Sequence, residues 1–174
     1  EEKTGSPIDY VAMIQGDEPM LNPQMIDDLV APILLDQSLQ VTNLIEMIRS
    51  QDAFENANVV KVVLDRQGFA LYFSREPIPS RKKYSGDIPR WKQLGIILFS
   101  RKALLEYTKM PPAPLEIIES VDMNRFLEYG TKIKMIPTVN KSFGVDVPAD
   151  IQIVEPLLRK DALIEKYLPG VNRP

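Results

Sequence analysis

A chain of 174 residues with 44% hydrophobic content has enough material for one folded domain with a real core. Its 21 basic and 24 acidic residues leave a net charge of -3. Nothing global therefore draws it to nucleic acid or to an anionic membrane, and an anionic ligand needs a local basic cluster. The absence of Cys and His excludes disulfides, thiolate and imidazole metal sites, Ser-His-Asp triads and histidine bases, and leaves carboxylates, amines, phenols and oxygen-ligated magnesium chemistry. No apolar run approaches the roughly 20 residues that span a bilayer, so a cytoplasmic location is expected. The chain opens on Glu1, not Met, with a polar lead-in. A longer precursor or a partial sequence is the expectation.

Tyr10 to Ile14 is a short apolar run that stops at Gln15-Gly16-Asp17-Glu18-Pro19, the pattern of a buried strand delivering a polar loop. Asn22 before Pro23 reads as the cap and first position of a helix whose Met25, Ile26, Leu29, Val30 and Ile33 share one face. Pro32 should kink or end it. Val41 to Ile48 is apolar again. Val59 to Leu64 and Phe69 to Phe73, joined by Asp65-Arg66-Gln67-Gly68, read as a β-hairpin. Arg75 to Lys92 turns basic and loop-like, with Arg75, Arg81, Lys82, Lys83, Arg90 and Lys92 against Glu76 and Asp87, and supplies the local cluster. Leu94 to Phe99 predicts a buried strand, Lys102 to Lys109 a short helix, and Leu115 to Tyr129 a second helix closed by Gly130. Lys132 to Thr138 predicts a strand, and Pro148 opens a last helix. Strands and helices alternate without repeats, which predicts a single α/β domain over 1–174 with a mostly parallel sheet and an inserted hairpin.

Four places offer chemistry. Gln15 to Pro19 ends a predicted strand, where ligands bind in open α/β sheets; its carboxylates can hold magnesium, or it is simply a polar turn. In Gly144-Val145-Asp146-Val147-Pro148, the proline makes Val147 the helix cap and puts Asp146 one place early for that role. Asp17 and Asp146, both at sheet-edge loops, together suit a magnesium ion bridging phosphate oxygens. Arg75 follows a strand and leads into a proline-stiffened loop, where a guanidinium can clamp a carboxylate or phosphate, or can remain a solvated charge. In the helix from Leu115, apolar residues run around nearly the whole circumference. That implies burial on several sides or a subunit interface, and gives Glu116, Glu119 and Asp122 partial burial with substrate or, preferably, structural roles.

Taken in order, Gln15-Gly16-Asp17-Glu18-Pro19, Asn58 to Asp65, Ala70 to Arg75, Leu94-Gly95-Ile96, Pro114-Leu115-Glu116 and Gly144 to Pro148 resemble the 3-deoxy-manno-octulosonate (Kdo) cytidylyltransferases, from about Asp9 to Glu155. The resemblance implies a Rossmann-like nucleotide-diphospho-sugar transferase sandwich, usually dimeric. It implies coupling of CTP to Kdo with release of pyrophosphate, for lipopolysaccharide synthesis, with Mg2+ as cofactor and no nucleic-acid or membrane partner. By the same resemblance Asp17 and Asp146 are metal-binding and catalytic, Gln15 lies in the substrate loop, and Arg75 holds the sugar acid.

The chain also departs from that pattern. Gln93 stands where a histidine is common, Ile97 where a tyrosine is, and Asp122-Met123 where a glutamate-glutamine pair is. These changes are expected to cluster in the sugar pocket, with Gln93 and Asp122 as substrate-binding residues, and a related acidic sugar is a second reading of the substrate. Nothing here matches the family's opening strand and its Arg, Gly and Lys-bearing loop around the triphosphate. An amino-terminally truncated domain, poorly active alone, is therefore the expectation, with a non-catalytic binding or dimerisation module as the rival.

Overall fold

A computed structural model describes residues 5–84, 86–145, 147–163 and 166. Six strands form one sheet: β1 (Tyr10–Ile14), β2 (Val41–Met47), β3 (Lys61–Leu64), β4 (Ala70–Ser74), β5 (Trp91–Ser100) and β6 (Lys134–Pro137). Six helices accompany them: α1 (Pro23–Leu35), α2 (Gln51–Glu55), α3 (Arg101–Tyr107), α4 (Pro114–Glu119), α5 (Met123–Glu128) and α6 (Pro148–Leu158).

The long strand β5 organises the sheet. Along one edge it pairs with β2, which pairs in turn with β6; along the other it pairs with β1 over Ile96–Ser100 and with β3 at Trp91 and Lys92. Its two faces alternate as a strand buried on both sides must. Leu94, Ile96 and Leu98 join Met25, Leu29, Ile33 and Leu44 in one core, under α1. Ile97 and Phe99 join Phe73, Phe126, Ile133 and others in the core on the opposite face. There Phe126 stacks on Phe99 and Tyr107, with centroids 5.9 and 4.8 Å apart.

The α/β class, the open sheet and the hairpin are as expected, but the strand directions are not. Of the pairings described, only β2 with β6 is parallel; β1–β5, β2–β5, β3–β4 and β3–β5 are antiparallel. Alternation of strands and helices predicts parallel neighbours only when each helix is a crossover returning the chain in the same direction. Here β5 runs against three partners. β1, expected as a buried strand, is a half-exposed edge strand.

Two helix expectations also change. Asn22 caps α1 by accepting from the Gln24 N–H at 3.0 Å, but the helix continues through Pro32 to Leu35, and Asp36 N–H closes on the Pro32 carbonyl. Proline sacrifices one ladder bond there, which three fully buried residues on the same helix, Met25, Leu29 and Ile33, outweigh. The helix expected over Leu115–Tyr129 is two helices broken at Ser120, whose φ of 51° is left-handed. The break explains the spread of apolar residues: Ile117 and Ile118 on α4 are exposed, whereas Val121, Met123 and Phe126 turn into the core.

Candidate active site

The cleft opens where the edge of β5 forks. β1 leaves β5 with the Gln15 N–H donating to the Gly95 carbonyl at 3.0 Å, and β3 departs in the other direction with the Gln93 N–H donating to the Val60 carbonyl at 2.9 Å. Between these two bonds no strand pairs with β5 on that side. The opening is a cavity of about 520 Å3 whose wall includes Gln15, Asp17, Arg75, Gln93 and Asp122. Five of the six sequence-predicted site residues are thus brought together, from four separate chain segments. The sixth, Asp146, lies outside the described residues.

Asp17 and Glu18 sit on the loop after β1. Ser142 donates its hydroxyl to the Glu18 carboxylate, and the Val145 N–H donates to the Asp17 carbonyl at 2.8 Å. The segment carrying Ser142, Gly144 and Val145 therefore lies along the Asp17 loop, so these two loops do converge. At the start of α6, Val147 is the cap residue as predicted, and its N–H is taken by the Asp150 carboxylate at 3.0 Å.

Gln15 folds across β5. A Cβ at Gly95 would come within 2.7 Å of Gln15 Cδ, closer than real side chains approach, so with any other residue there the Gln15 side chain must swing away from its present position. The cleft wall opposite is held by Glu119 at the end of α4. Its carboxylate accepts from Tyr72 Oη at 2.6 Å, Ser74 Oγ at 2.8 Å and the Arg75 N–H at 2.8 Å. Desolvation pushes the Glu119 carboxyl up, but the bonds from Tyr72, Arg75 and Ser74 outweigh it and hold it below the usual range. The same bond, first among the causes, raises the Tyr72 phenol to about 12. Glu116 is likewise structural, paired with Arg125 across the two short helices.

Arg75 lines the cleft and also ties it together. Its Nε donates to the Glu119 carbonyl at 2.8 Å, Nη2 to the Ser120 carbonyl at 3.1 Å and Nη1 to the Ala57 carbonyl at 3.0 Å. Three of its five N–H groups thus hold the left-handed turn and the loop before β3 in place. Behind it, the fully buried Lys61 ammonium donates to the carbonyls of Asn56, Val59 and Arg75. The lysine has no accessible surface, and desolvation moves its pKa down, opposed by Glu76.

Asp122 reaches the cleft from the broken helix. Desolvation, aided by Glu116, raises its pKa, although more than a third of its surface is exposed to solvent, so the push is partial. Of the basic segment, Lys92 reaches the cleft wall and lies 3.0 Å from Glu46, within ion-pair distance but not aligned as a hydrogen bond. Arg90 stacks over Phe54 instead. Ile97 and Met123, placed in the pocket by the resemblance, are both 1% exposed core residues, so of those departures only Gln93 and Asp122 line the cleft.

The carboxylate of Asp17 is a hard oxygen donor in a polar cleft. Magnesium characteristically takes one or two protein carboxylates and completes its shell with water and phosphate oxygens. Asp17 fits that chemistry as a single carboxylate; among the described residues there is no group of three or more carboxylates placed to hold an ion.

Sequence reasoning passed over Asn43, Lys61, Asn124 and Ser142. Each is a polar residue buried in the fold, and the signal available was only polarity inside an apolar stretch, as with Asn43 in Val41-Thr42-Asn43-Leu44-Ile45.

Comparison with known proteins bears on the whole arrangement. The chain is 40% identical over 162 residues to the 3-deoxy-manno-octulosonate cytidylyltransferase of Geobacter metallireducens, covering 87% of this chain and 64% of the relative. It is 37% identical over 153 residues to that of Christiangramia forsetii, covering 87% and 62%. The chain therefore spans slightly under two thirds of the length of these relatives. A solved structure of CMP:2-keto-3-deoxy-manno-octonic acid synthetase complexed with CTP superposes with a TM-score of 0.80 at 32% identity, over 90% of this chain and 64% of that one. A glucose-1-phosphate thymidylyltransferase from Bacillus anthracis shares the fold, with a TM-score of 0.57 at 13% identity. The family model for cytidylyltransferases matches residues 2–133, a span that carries Gln15, Asp17, Arg75, Gln93 and Asp122, and on that match the chain belongs to the cytidylyltransferase family.

Proposed function

We propose that this chain is the larger part of a Kdo cytidylyltransferase, which transfers the cytidylyl group of CTP to Kdo with release of pyrophosphate. The observation that carries the reading is the convergence of Gln15, Asp17, Arg75, Gln93 and Asp122 on one cleft, in a chain similar to a synthetase whose structure holds CTP.

In this reading the anomeric hydroxyl of the sugar attacks the α-phosphate in line. A sugar oxygen–phosphorus bond forms and the bond to the bridging oxygen of the leaving pyrophosphate breaks. Positioning and electrostatics carry such a transfer. Asp17 and Asp146 would hold a divalent cation, magnesium in this proposal, which supplies charge neutralisation at the phosphates. Gln15 holds one side of the substrate over Gly95. The N–H groups of Arg75 not taken by carbonyls, and Lys92, offer positive charge to the sugar carboxylate, while Asp122 accepts from sugar hydroxyls.

The reading also carries a single domain over 1–174, a cytoplasmic location and a homodimer, the last supported by the exposed Ile117 and Ile118 on α4. Among the described residues no helix is long and apolar enough to cross a membrane. A related ulosonic acid is the second reading of the substrate, favoured by Gln93 and Asp122 at the cleft.

The test is pyrophosphate release with CTP, Kdo and Mg2+, comparing this chain with a version extended upstream from its gene. Turnover is expected in the extended form and is expected to fall to background in its Asp17→Ala variant while the circular dichroism spectrum is unchanged. A folded, fully active Asp17→Ala protein would sink the metal assignment; silence with Kdo and activity with another ulosonic acid would select the second reading.

A further inference from the structure

We propose that Asn43 is a positioning residue that fixes the polarity of the Gln93 amide, so that Gln93 presents its carbonyl oxygen to the cleft as the acceptor for a hydroxyl of the sugar acid. The ligand part of this inference rests on the sugar-acid reading above; the polarity rests on geometry alone.

The ladder between β2 and β5 slips at this point. Asn43 faces Ile97 and Ile45 faces Gln93, so Leu94, Gly95 and Ile96 stand opposite Leu44 alone. A bulge of this kind leaves strand carbonyls without ladder partners. The fully buried Asn43 fills the gap: its Nδ2 donates to the Leu94 carbonyl at 2.8 Å and the Ile96 carbonyl at 3.0 Å, with a weaker approach to Leu44 O at 3.3 Å. Carbonyl oxygens only accept, so the Asn43 amide has one chemically allowed orientation here. Its Oδ1 must then face Gln93 and needs a donor, which Gln93 Nε2 supplies at 2.8 Å. That bond orients the second amide in turn. Gln93 Oε1 is left without a partner among the described residues, on a side chain that forms the cleft wall. The bulge between β2 and β5, across β5 from the fork, thus sets which atom of Gln93 a ligand meets.

The experiment uses the chain as it stands, titrated with millimolar Kdo and followed by NMR from about pH 4 to about pH 8, across the ordinary carboxylic range. The charged groups on the same cleft, Asp17, Glu18, Arg75, Lys92 and Asp122, are common to all variants, so each variant is read as a ratio to wild type at the same pH. In Gln93→Glu, a protonated carboxyl mimics the amide: its O–H donates to Asn43 and its carbonyl oxygen faces the ligand. Once ionised, it opposes Asn43 Oδ1. Affinity near the wild-type value at the acid end, falling at least about tenfold towards neutrality, is the expected result. Gln93→Leu should be weakened about tenfold or more at every pH. Equal weakening of Gln93→Glu at all pH values would mean that the amide meets the ligand with its NH2, and would overturn the polarity. Unchanged binding by Gln93→Leu would overturn the acceptor role. In the same spectra, one Gln93 side-chain amide proton should exchange slowly without ligand and should lose that protection in Asn43→Thr. Fast exchange in the wild type would overturn the relay even where Asn43→Thr fails to fold. If the wild type binds no Kdo, the sugar-acid reading falls, and with it the hydroxyl assignment, while amide exchange still decides the Asn43–Gln93 pair.

Discussion

Gly95 shows how much a single residue contributes by having no side chain. Gln15 lies across its Cα, and any Cβ would meet the Gln15 side chain well inside contact distance. Gly95→Ala should therefore expel Gln15 from the cleft, or distort β5 at its bulge. Substrate affinity is expected to fall at least about tenfold, the scale of one lost or displaced polar contact. Thermal denaturation should move little, because Gln15 is exposed and can relax into solvent. A Gly95→Ala protein with wild-type affinity would show that Gln15 does not engage the ligand. Arg75 is the contrasting case. The sequence suggests an anion clamp, and the folded chain also uses its guanidinium to bind three carbonyls, so its substitution should lower stability as well as affinity.

Among the elements, the α4–α5 pair and the β3–β4 hairpin depend on one another. Asn124, fully buried at the start of α5, behaves like a strand residue: its Oδ1 accepts from the Phe73 N–H at 3.2 Å and its Nδ2 donates to the Phe73 carbonyl at 3.0 Å. Asn124→Ala would leave both backbone groups buried and unpaired and should destabilise by about 1–3 kcal/mol, measured by urea unfolding with an unchanged slope. A smaller shift would mean that water reaches Phe73. The break at Ser120 makes this pairing possible, because it turns α5 inward. Nothing in the local sequence announces it: Ser120 is not glycine, and a left-handed serine is held by its surroundings, here the Arg75 bond to its own carbonyl.

Over the whole molecule, the same junction sets how stability depends on pH. Tyr72 titrates at about 12 in the folded chain against an ordinary 10, chiefly through its bond to Glu119. A raised folded pKa contributes stability that is fully present below pH 10 and is lost as pH climbs towards 12. Glu119 is the acid counterpart: its lowered pKa contributes stability above the ordinary 4.5 that disappears as pH falls through the folded value. Tyr72→Phe should flatten, though not remove, the alkaline limb of a stability–pH profile, because burial also raises Tyr107 to about 12. A profile unchanged by Tyr72→Phe would show that the Tyr72–Glu119 bond contributes nothing to folding.

What the residues by themselves determined is local. Asn22-Pro23 starts α1, Asp65 to Gly68 turns the hairpin, and Val147-Pro148 opens α6, because capping and turn chemistry act over a few neighbouring residues. The ordered motifs, read together, carried the family, and five of the residues they singled out line one cleft, because a string of short signals at fixed spacing is specific even when each is weak. Strand direction, the break at Ser120, the β5 bulge and the buried anchors Asn43, Lys61 and Asn124 were decided only in the tertiary structure. Each depends on a partner tens of residues away, as Asn43 depends on Leu94 and Ile96 and Ser120 on Arg75. A polar residue inside an apolar run looks like a defect until the carbonyls it satisfies are brought beside it, since burial without a partner is what makes such a residue costly.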